Sequence, residues 1–260
     1  MSTTTRDNAM QMLNKVPEVT LYFWIIKIMA TTVGETAADF LNADLQLGLS
    51  GTSAVMGVLL AAFLILQLRA RAYVPWLYWV VVVLISVLGT LITDNLVDNF
   101  GVPLETTTVV FALALLATFV AWYASEKTLS IHSIFTRKRE LFYWAAILFT
   151  FALGTAAGDL AAEGLKLGYA NSVLMFGALI AAVTLAYYVF KANAVLAFWI
   201  GYILTRPLGA SLGDNLSQPA AAGGLGLGAM TTSTIFLATI LSLVLYLTAT
   251  RKDVIEQRSD

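Results

Sequence analysis

The chain has 260 residues, 59% hydrophobic and 12% charged, with a formal net charge of −1. A soluble domain carries about 25% charged residues, so this composition is typical of a membrane protein. The chain has no cysteine, a single histidine (His132) and no basic patch with interleaved aromatic residues, which excludes disulfides, thiolate metal sites, haem held by two histidines and a nucleic-acid partner.

Apolar segments long enough to cross a bilayer, about 20 residues each, recur along the chain. They predict eight helices, near 19–39, 51–68, 75–94, 104–124, 140–159, 169–190, 194–214 and 229–249. The expected fold class is therefore an all-α integral membrane protein with eight transmembrane helices.

Basic residues are concentrated in alternate loops, and the opposite set of loops holds only Lys166. Because cytoplasmic loops carry the excess of Lys and Arg, we expect both termini in the cytoplasm. The expected domains are a cytoplasmic N-terminal segment (1–18), a first four-helix repeat (19–124), a cytoplasmic basic linker (125–139), a second four-helix repeat (140–249) and a cytoplasmic tail (250–260).

Four of the predicted helices contain a glycine followed five residues later by an aspartate. The four pairs are Gly34 and Asp39, Gly89 and Asp94, Gly154 and Asp159, and Gly209 and Asp214. A carboxylate within a membrane costs roughly 2.5–3.5 kcal/mol on insertion scales, so four equivalent carboxylates indicate a function. The alternative is that each aspartate ends or caps a helix at the interface and is solvated.

The chain also contains a duplication with a shift of 120 residues. The shift superimposes Trp24 on Trp144, Gly34 on Gly154, Asp39 on Asp159, Trp79 on Trp199 and Asp94 on Asp214. Four helices per half predict parallel repeats about an axis along the membrane normal. Each half divides into two helical hairpins with one glycine–aspartate pair apiece, which predicts a pseudo-fourfold ring.

This four-copy pattern resembles a bacterial family of multi-pass membrane proteins built from a duplicated repeat of unknown function. The start of the chain carries the same resemblance in Lys15-Val16-Pro17-Glu18-Val19-Thr20, Phe23-Trp24 and Thr31-Thr32-Val33-Gly34-Glu35. The likeness covers nearly the whole chain. It implies the repeat architecture, the lipid bilayer as surroundings and the bacterial inner membrane as location, and it implies no activity.

The four aspartates Asp39, Asp94, Asp159 and Asp214 are the main candidate functional residues. If they converge, their oxygen ligands suit a hard cation of the Mg²⁺, Mn²⁺ or Ca²⁺ class, and carboxylates in low dielectric also serve as proton relays. Glu35 lies one helical turn before Asp39, and Glu163 follows Asp159 by the same spacing. Such pairs chelate an ion or share a proton.

Two basic residues, Lys27 and Arg206, fall inside predicted membrane helices. A buried cation is normally paired, so one interpretation makes them fixed counter-ions of the aspartates. The other makes them built-in cations that move as protons or metal ions come and go. Asn95 and Asn215, directly after Asp94 and Asp214, complete the set of candidate ion-binding residues.

The repeated glycines and tryptophans have simpler explanations. Small residues allow membrane helices to approach closely, although a glycine also allows a helix break that exposes carbonyl groups to a cation. Four tryptophans at equivalent positions are expected to anchor the cytoplasmic interface: Trp24, Trp79, Trp144 and Trp199.

The leading functional hypothesis is a transporter or channel for a cation, with the ion as substrate, no required cofactor and no enzymatic activity. An integral membrane enzyme with a metal-activated water is the first alternative. A small-molecule-binding protein or scaffold without transport is the second. A homo-oligomer is compatible with all three hypotheses.

Overall fold

The computed structural model describes residues 14–44 and 46–254. This part of the chain contains eight α-helices, short 3₁₀ and π-helical turns, and no strand. The helices are α1 (Leu21–Asp39), α2 (Gly48–Arg69), α3 (Pro75–Asp94), α4 (Leu104–Glu126), α5 (Arg137–Asp159), α6 (Tyr169–Tyr188), α7 (Ala194–Ser217) and α8 (Ala229–Thr250). The eight predicted helices are confirmed, with ends within three residues of the prediction. Residues 1–13 of the predicted N-terminal segment and 255–260 of the predicted tail lie outside the described residues.

Seven of the described helices, all except α1, are long and apolar enough to cross a membrane. Helix α1 carries three charged residues, Lys27, Glu35 and Asp39, in its 19 residues. Lys27 and Glu35 are buried, because α1 packs against α3, α7 and α8. The described chain is thus a helical, apolar, membrane-like bundle whose most polar helix is covered by other helices.

Four helices form a closed ring at the centre of the bundle. Helix α1 packs against α3, α3 against α5, α5 against α7, and α7 against α1. The other four helices surround this ring: α2 packs on α3, α4 on α5, α6 on α7 and α8 on α1. We call α1, α3, α5 and α7 the inner helices. In the most apolar stretch of each helix, 50–61% is buried inside the bundle for α3, α5 and α7, compared with 11–28% for the outer helices.

Local signals fix the first turn of each inner helix. Thr20, Thr136 and Asn193 cap α1, α5 and α7, and each side-chain oxygen accepts backbone N–H groups of the first turn. Helix α3 begins with Pro75, whose missing N–H costs nothing in the first turn.

The inner helices run in the same direction, so their N-terminal ends meet at one end of the ring and their aspartates at the other. We call these the aromatic end and the aspartate end.

The repeated glycines bring neighbouring inner helices into contact around the ring. A Cβ atom at each glycine would overlap a residue of the next inner helix: Ser86 for Gly34, Phe151 for Gly89, Arg206 for Gly154 and Thr31 for Gly209. Each contacted residue stands three positions before the glycine of its own helix. The α-helix continues through all four glycines, so the structure supports the close-packing interpretation and not the helix-break alternative.

The tryptophans occupy a different place from the one predicted. Trp79, Trp144 and Trp199 are only 2, 3 and 4% exposed, and Trp24 is half-buried. They pack edge to face with the tyrosines and phenylalanines that fill the aromatic end, and the Trp199 indole N–H donates to the Leu129 carbonyl at 2.9 Å. The prediction of interface anchors was wrong, because a ring of four helices needs large side chains to fill its centre.

Both ends of the described chain cover the aromatic end. Lys15, which precedes α1, is 6% exposed and forms an ion pair of 2.6 Å with Glu140 at the start of α5. Gln67 donates to the other oxygen of Glu140 at 3.2 Å. Near the last described residue, Asp253 accepts a hydrogen bond of 2.5 Å from the Tyr73 hydroxyl.

Replacement of a ring glycine is expected to destabilise the bundle. In Gly209→Ala, the new methyl group would overlap the Thr31 side chain and lie 3.0 Å from the Thr32 backbone nitrogen, so the free energy of unfolding should fall by about 1–3 kcal/mol. Gly177→Ala on α6 is the control, because a Cβ there meets nothing within 4 Å. Thermal unfolding in detergent measures both, and an equal stability of the two variants would contradict the packing interpretation.

The Lys15–Glu140 pair is expected to behave as a buried ion pair. Lys15→Met leaves the Glu140 carboxylate, which is 1% exposed, without its charged partner and should cost about 3–5 kcal/mol. The double variant Lys15→Met/Glu140→Met removes both charges and should recover most of that loss. Chemical denaturation in detergent compares the three proteins. A double variant no more stable than Lys15→Met would show that the pair is not the source of the effect.

Candidate cation site

A guanidinium group lies on the axis of the ring, midway between its two ends. Arg206 of α7 is completely buried. Its Nη2 atom donates to Glu35 Oε2 at 3.1 Å, to Thr155 Oγ1 at 2.6 Å and to Thr90 Oγ1. Its Nη1 atom donates to the Thr31 carbonyl at 3.3 Å. One side chain therefore binds α1, α3 and α5 from the fourth inner helix.

The repeats explain why these partners meet. Glu35, Thr90 and Thr155 each follow a ring glycine directly, so the repeat brings all three to one level of the axis. The backbone of Arg206 lies one helical turn nearer the aromatic end. Thr31, Ser86 and Phe151 occupy the equivalent position in the other three inner helices. Sequence reasoning missed Thr90 and Thr155, although their position one residue after the glycine was a signal that could have found them.

The aspartates lie one turn beyond this level. Asp39, Asp94 and Asp159 are the last residues of α1, α3 and α5, and each is followed by a π-helical turn. Asp214 lies in the last turn of α7. All four repeated aspartates therefore lie at the same end of the ring.

Three carboxylates come close enough to share one ion. One oxygen each of Glu35, Asp159 and Asp214 lies within 4.8 Å of the other two. With ligand distances of about 2.3–2.6 Å, Ca²⁺ can bind oxygens up to about 5.2 Å apart, whereas Mg²⁺, at about 2.0–2.1 Å, would need the carboxylates to lie within about 4.2 Å of one another. Asp214 is 7% exposed and accepts no hydrogen bond from the described residues, so a cation would supply the partner that it lacks.

Other predicted site residues lie outside this group. Asp39 accepts a hydrogen bond from Gln218 at 3.2 Å, and the close group joins Glu35 to carboxylates of α5 and α7. Asn95 donates to Ser53 of α2 at 2.9 Å and ties α3 to an outer helix. The backbone carbonyl of Asn215 accepts from Leu225 at 2.7 Å.

Glu163 is exposed in the π-helical turn after α5 and accepts a hydrogen bond from the Tyr169 hydroxyl at 2.9 Å. It faces the same end of the ring as the aspartates without belonging to the close group of three.

The two buried cations are not hydrogen-bonded to the aspartates. Arg206 forms its ion pair with Glu35. Lys27 has no hydrogen-bond partner among the described residues, and its Nζ atom lies 4.2 Å from the ring centroids of both Phe151 and Tyr202. The interpretation of Lys27 as a paired counter-ion of the aspartates was wrong, because aromatic faces hold this ammonium.

Comparison with known proteins identifies the repeat. A family model described as Repeat of Unknown Function (DUF347) matches residues 22–73, 77–128, 142–193 and 197–253. Each matched segment contains one inner helix and the outer helix that follows it, which confirms the internal repeat. No curated protein and no solved structure matches the chain.

Proposed function

The chain belongs to the DUF347 family, whose description names no activity, and we propose that it is a membrane transporter or channel for a hard divalent cation. The observation that carries this proposal is the group of Glu35, Asp159 and Asp214 at the axis of an apolar helical bundle. The ion, of the Mg²⁺, Mn²⁺ or Ca²⁺ class, is the substrate, and proton coupling and the absence of a resident cofactor are parts of the proposal.

The charges around the axis favour a cation over an anion. The four repeated aspartates and Glu35 supply five acidic groups, whereas Lys27 and Arg206 supply two basic ones. All the ligand atoms of the close group are carboxylate oxygens, which suit hard cations better than soft ones. An anion would have to approach Arg206 past the aspartates.

The axis is accessible from one end and closed towards the other. Asp39, Asp94 and Asp159 are partly exposed at the aspartate end. Towards the aromatic end, Arg206 fills the axis, Lys27 lies between Phe151 and Tyr202, and the tryptophans follow. Passage of an ion therefore requires these side chains to move, as in a gated channel or a carrier.

The location and orientation are part of the same proposal. We place the protein in the bacterial inner membrane, where the basic loops would face the cytoplasm and the aspartate end would face outward. An ion would then reach the carboxylates from the outer side.

Single-cysteine labelling tests this orientation in a chain that has no natural cysteine. Ala221→Cys lies in the exposed α7–α8 loop at the aspartate end, and Ala72→Cys lies in the exposed α2–α3 loop at the aromatic end. In spheroplasts, a membrane-impermeant maleimide should label Ala221→Cys at once and Ala72→Cys only after permeabilisation. The reverse order would overturn the orientation.

Metal binding to the purified protein in detergent tests the ion site. Titration calorimetry with Mg²⁺, Mn²⁺, Ca²⁺, Co²⁺ and Zn²⁺ at two pH values should give saturable binding of a hard divalent ion. Asp159→Asn/Asp214→Asn should weaken it at least about tenfold, because two of three charged ligands are lost. A bound ion at 100 times its Kd should also raise the free energy of unfolding by about 2.7 kcal/mol.

Asp98→Asn is the matched control, because Asp98 is exposed after α3 and lies outside the close group. Its ion affinity should equal that of the unchanged protein. Absence of binding by every ion, or an equal loss in the control, would contradict the site. Binding without ion flux into proteoliposomes would favour the enzyme or binding-protein alternative over transport.

A further inference from the structure

Glu35 takes part in two arrangements at once. Its Oε2 atom accepts a hydrogen bond from Arg206 at 3.1 Å, and the same residue belongs to the three carboxylates that lie within 4.8 Å of one another. We propose that Arg206 is a built-in competitor of the ion. The guanidinium holds Glu35 when the site is empty, and a cation must take Glu35 from it, so that Arg206 sets the selectivity for divalent over monovalent cations. This inference rests on the proposed function.

The carboxylate group has a feature that points to a ligand independently of its charge. Asp214 is 7% exposed and has no hydrogen-bond donor in the described part of the chain. Glu35, in contrast, has Arg206 at 3.1 Å and the Thr90 hydroxyl at 3.4 Å. Of the three carboxylates, Glu35 is thus hydrogen-bonded by the protein and Asp214 is not.

Arg206 can release Glu35 without leaving the axis. After the ion pair is lost, its guanidinium keeps Thr155, Thr90 and the Thr31 carbonyl as neutral acceptors. Its Cζ atom also lies 5.7 Å from the centroid of the Phe151 ring, within the range of a cation–π contact. The competitor therefore stays desolvated and hydrogen-bonded, and only its charged partner changes.

The charge of a cation determines whether it can displace Arg206 from Glu35. A monovalent ion offers Glu35 only the same charge as the guanidinium, which is already buried and held by preformed hydrogen bonds. A divalent ion offers twice the charge at a similar distance, so its Coulomb attraction to the carboxylates is doubled. Arg206 should consequently exclude Na⁺ and K⁺ and admit divalent ions at reduced affinity.

The test compares Arg206→Met, which removes the charge at similar length, with Arg206→Lys, which keeps it. Mn²⁺ binding to the purified full chain is measured at constant ionic strength, with Na⁺ replaced stepwise by N-methyl-D-glucamine. In the unchanged protein and in Arg206→Lys, Na⁺ should leave the Mn²⁺ affinity unaltered. In Arg206→Met, Mn²⁺ should bind at least about tenfold tighter, because a charge-assisted competitor is gone, and Na⁺ should weaken that binding several-fold.

A second measurement covers the case in which Arg206→Met does not fold. Guanidinium NMR signals of ¹⁵N-arginine-labelled protein are recorded during a Ca²⁺ titration, and the Arg206 signal is assigned by its loss in Arg206→Lys. It should shift with the same midpoint as Ca²⁺ binding.

The outcomes separate the two proposals. If the unchanged protein binds Mn²⁺ and Arg206→Met shows the same affinity and the same indifference to Na⁺, Arg206 is not a competitor although the ion site stands. An Arg206 NMR signal that does not shift when Ca²⁺ binds would lead to the same conclusion. If the unchanged protein binds no ion at all, the proposed function itself fails.

Discussion

The ion pair between Arg206 and Glu35 is the interaction on which the centre of the ring depends. Both groups are buried, and loss of one partner from such a pair typically costs about 3–5 kcal/mol, because the other charge remains without compensation. The same guanidinium also donates to Thr90 and Thr155. A single side chain therefore satisfies polar groups on the three other inner helices, and the position of each helix at this level is tied to it.

Close packing of the inner helices allows Arg206 to contact the other three. Four glycines remove the Cβ atoms that would keep the inner helices apart, and Gly154 in particular faces the Cβ and Cγ atoms of Arg206. With a larger residue there, the arginine could not cross to Glu35 and the threonines. The glycines and the ion pair thus depend on each other, since packing brings the polar groups together and the polar groups fix the packing.

Hydropathy and the repeat predicted the eight helices, and the glycine spacing predicted close packing, because both are local properties of the chain. The partners of individual side chains could not be predicted in this way. Glu35 was expected to act with Asp39 on its own helix, yet its neighbours Asp159 and Asp214 come from α5 and α7. The tryptophans were placed at an interface because composition does not reveal which face of a helix a ring will enclose. The Lys27 Nζ atom lies against the rings of Phe151 and Tyr202, which no sequence spacing indicated.

The repeats build the scaffold, but the ion pair at its axis joins only two of them. One residue after the glycine, the copies carry Glu35, Thr90, Thr155 and Ala210, and three residues before it they carry Thr31, Ser86, Phe151 and Arg206. Four identical arginines would repel one another on the axis, whereas one arginine and one glutamate compensate each other. These two residues are 171 positions apart, on the first and the last inner helix. They meet only because α7 packs against α1, so closure of the ring is what creates the site.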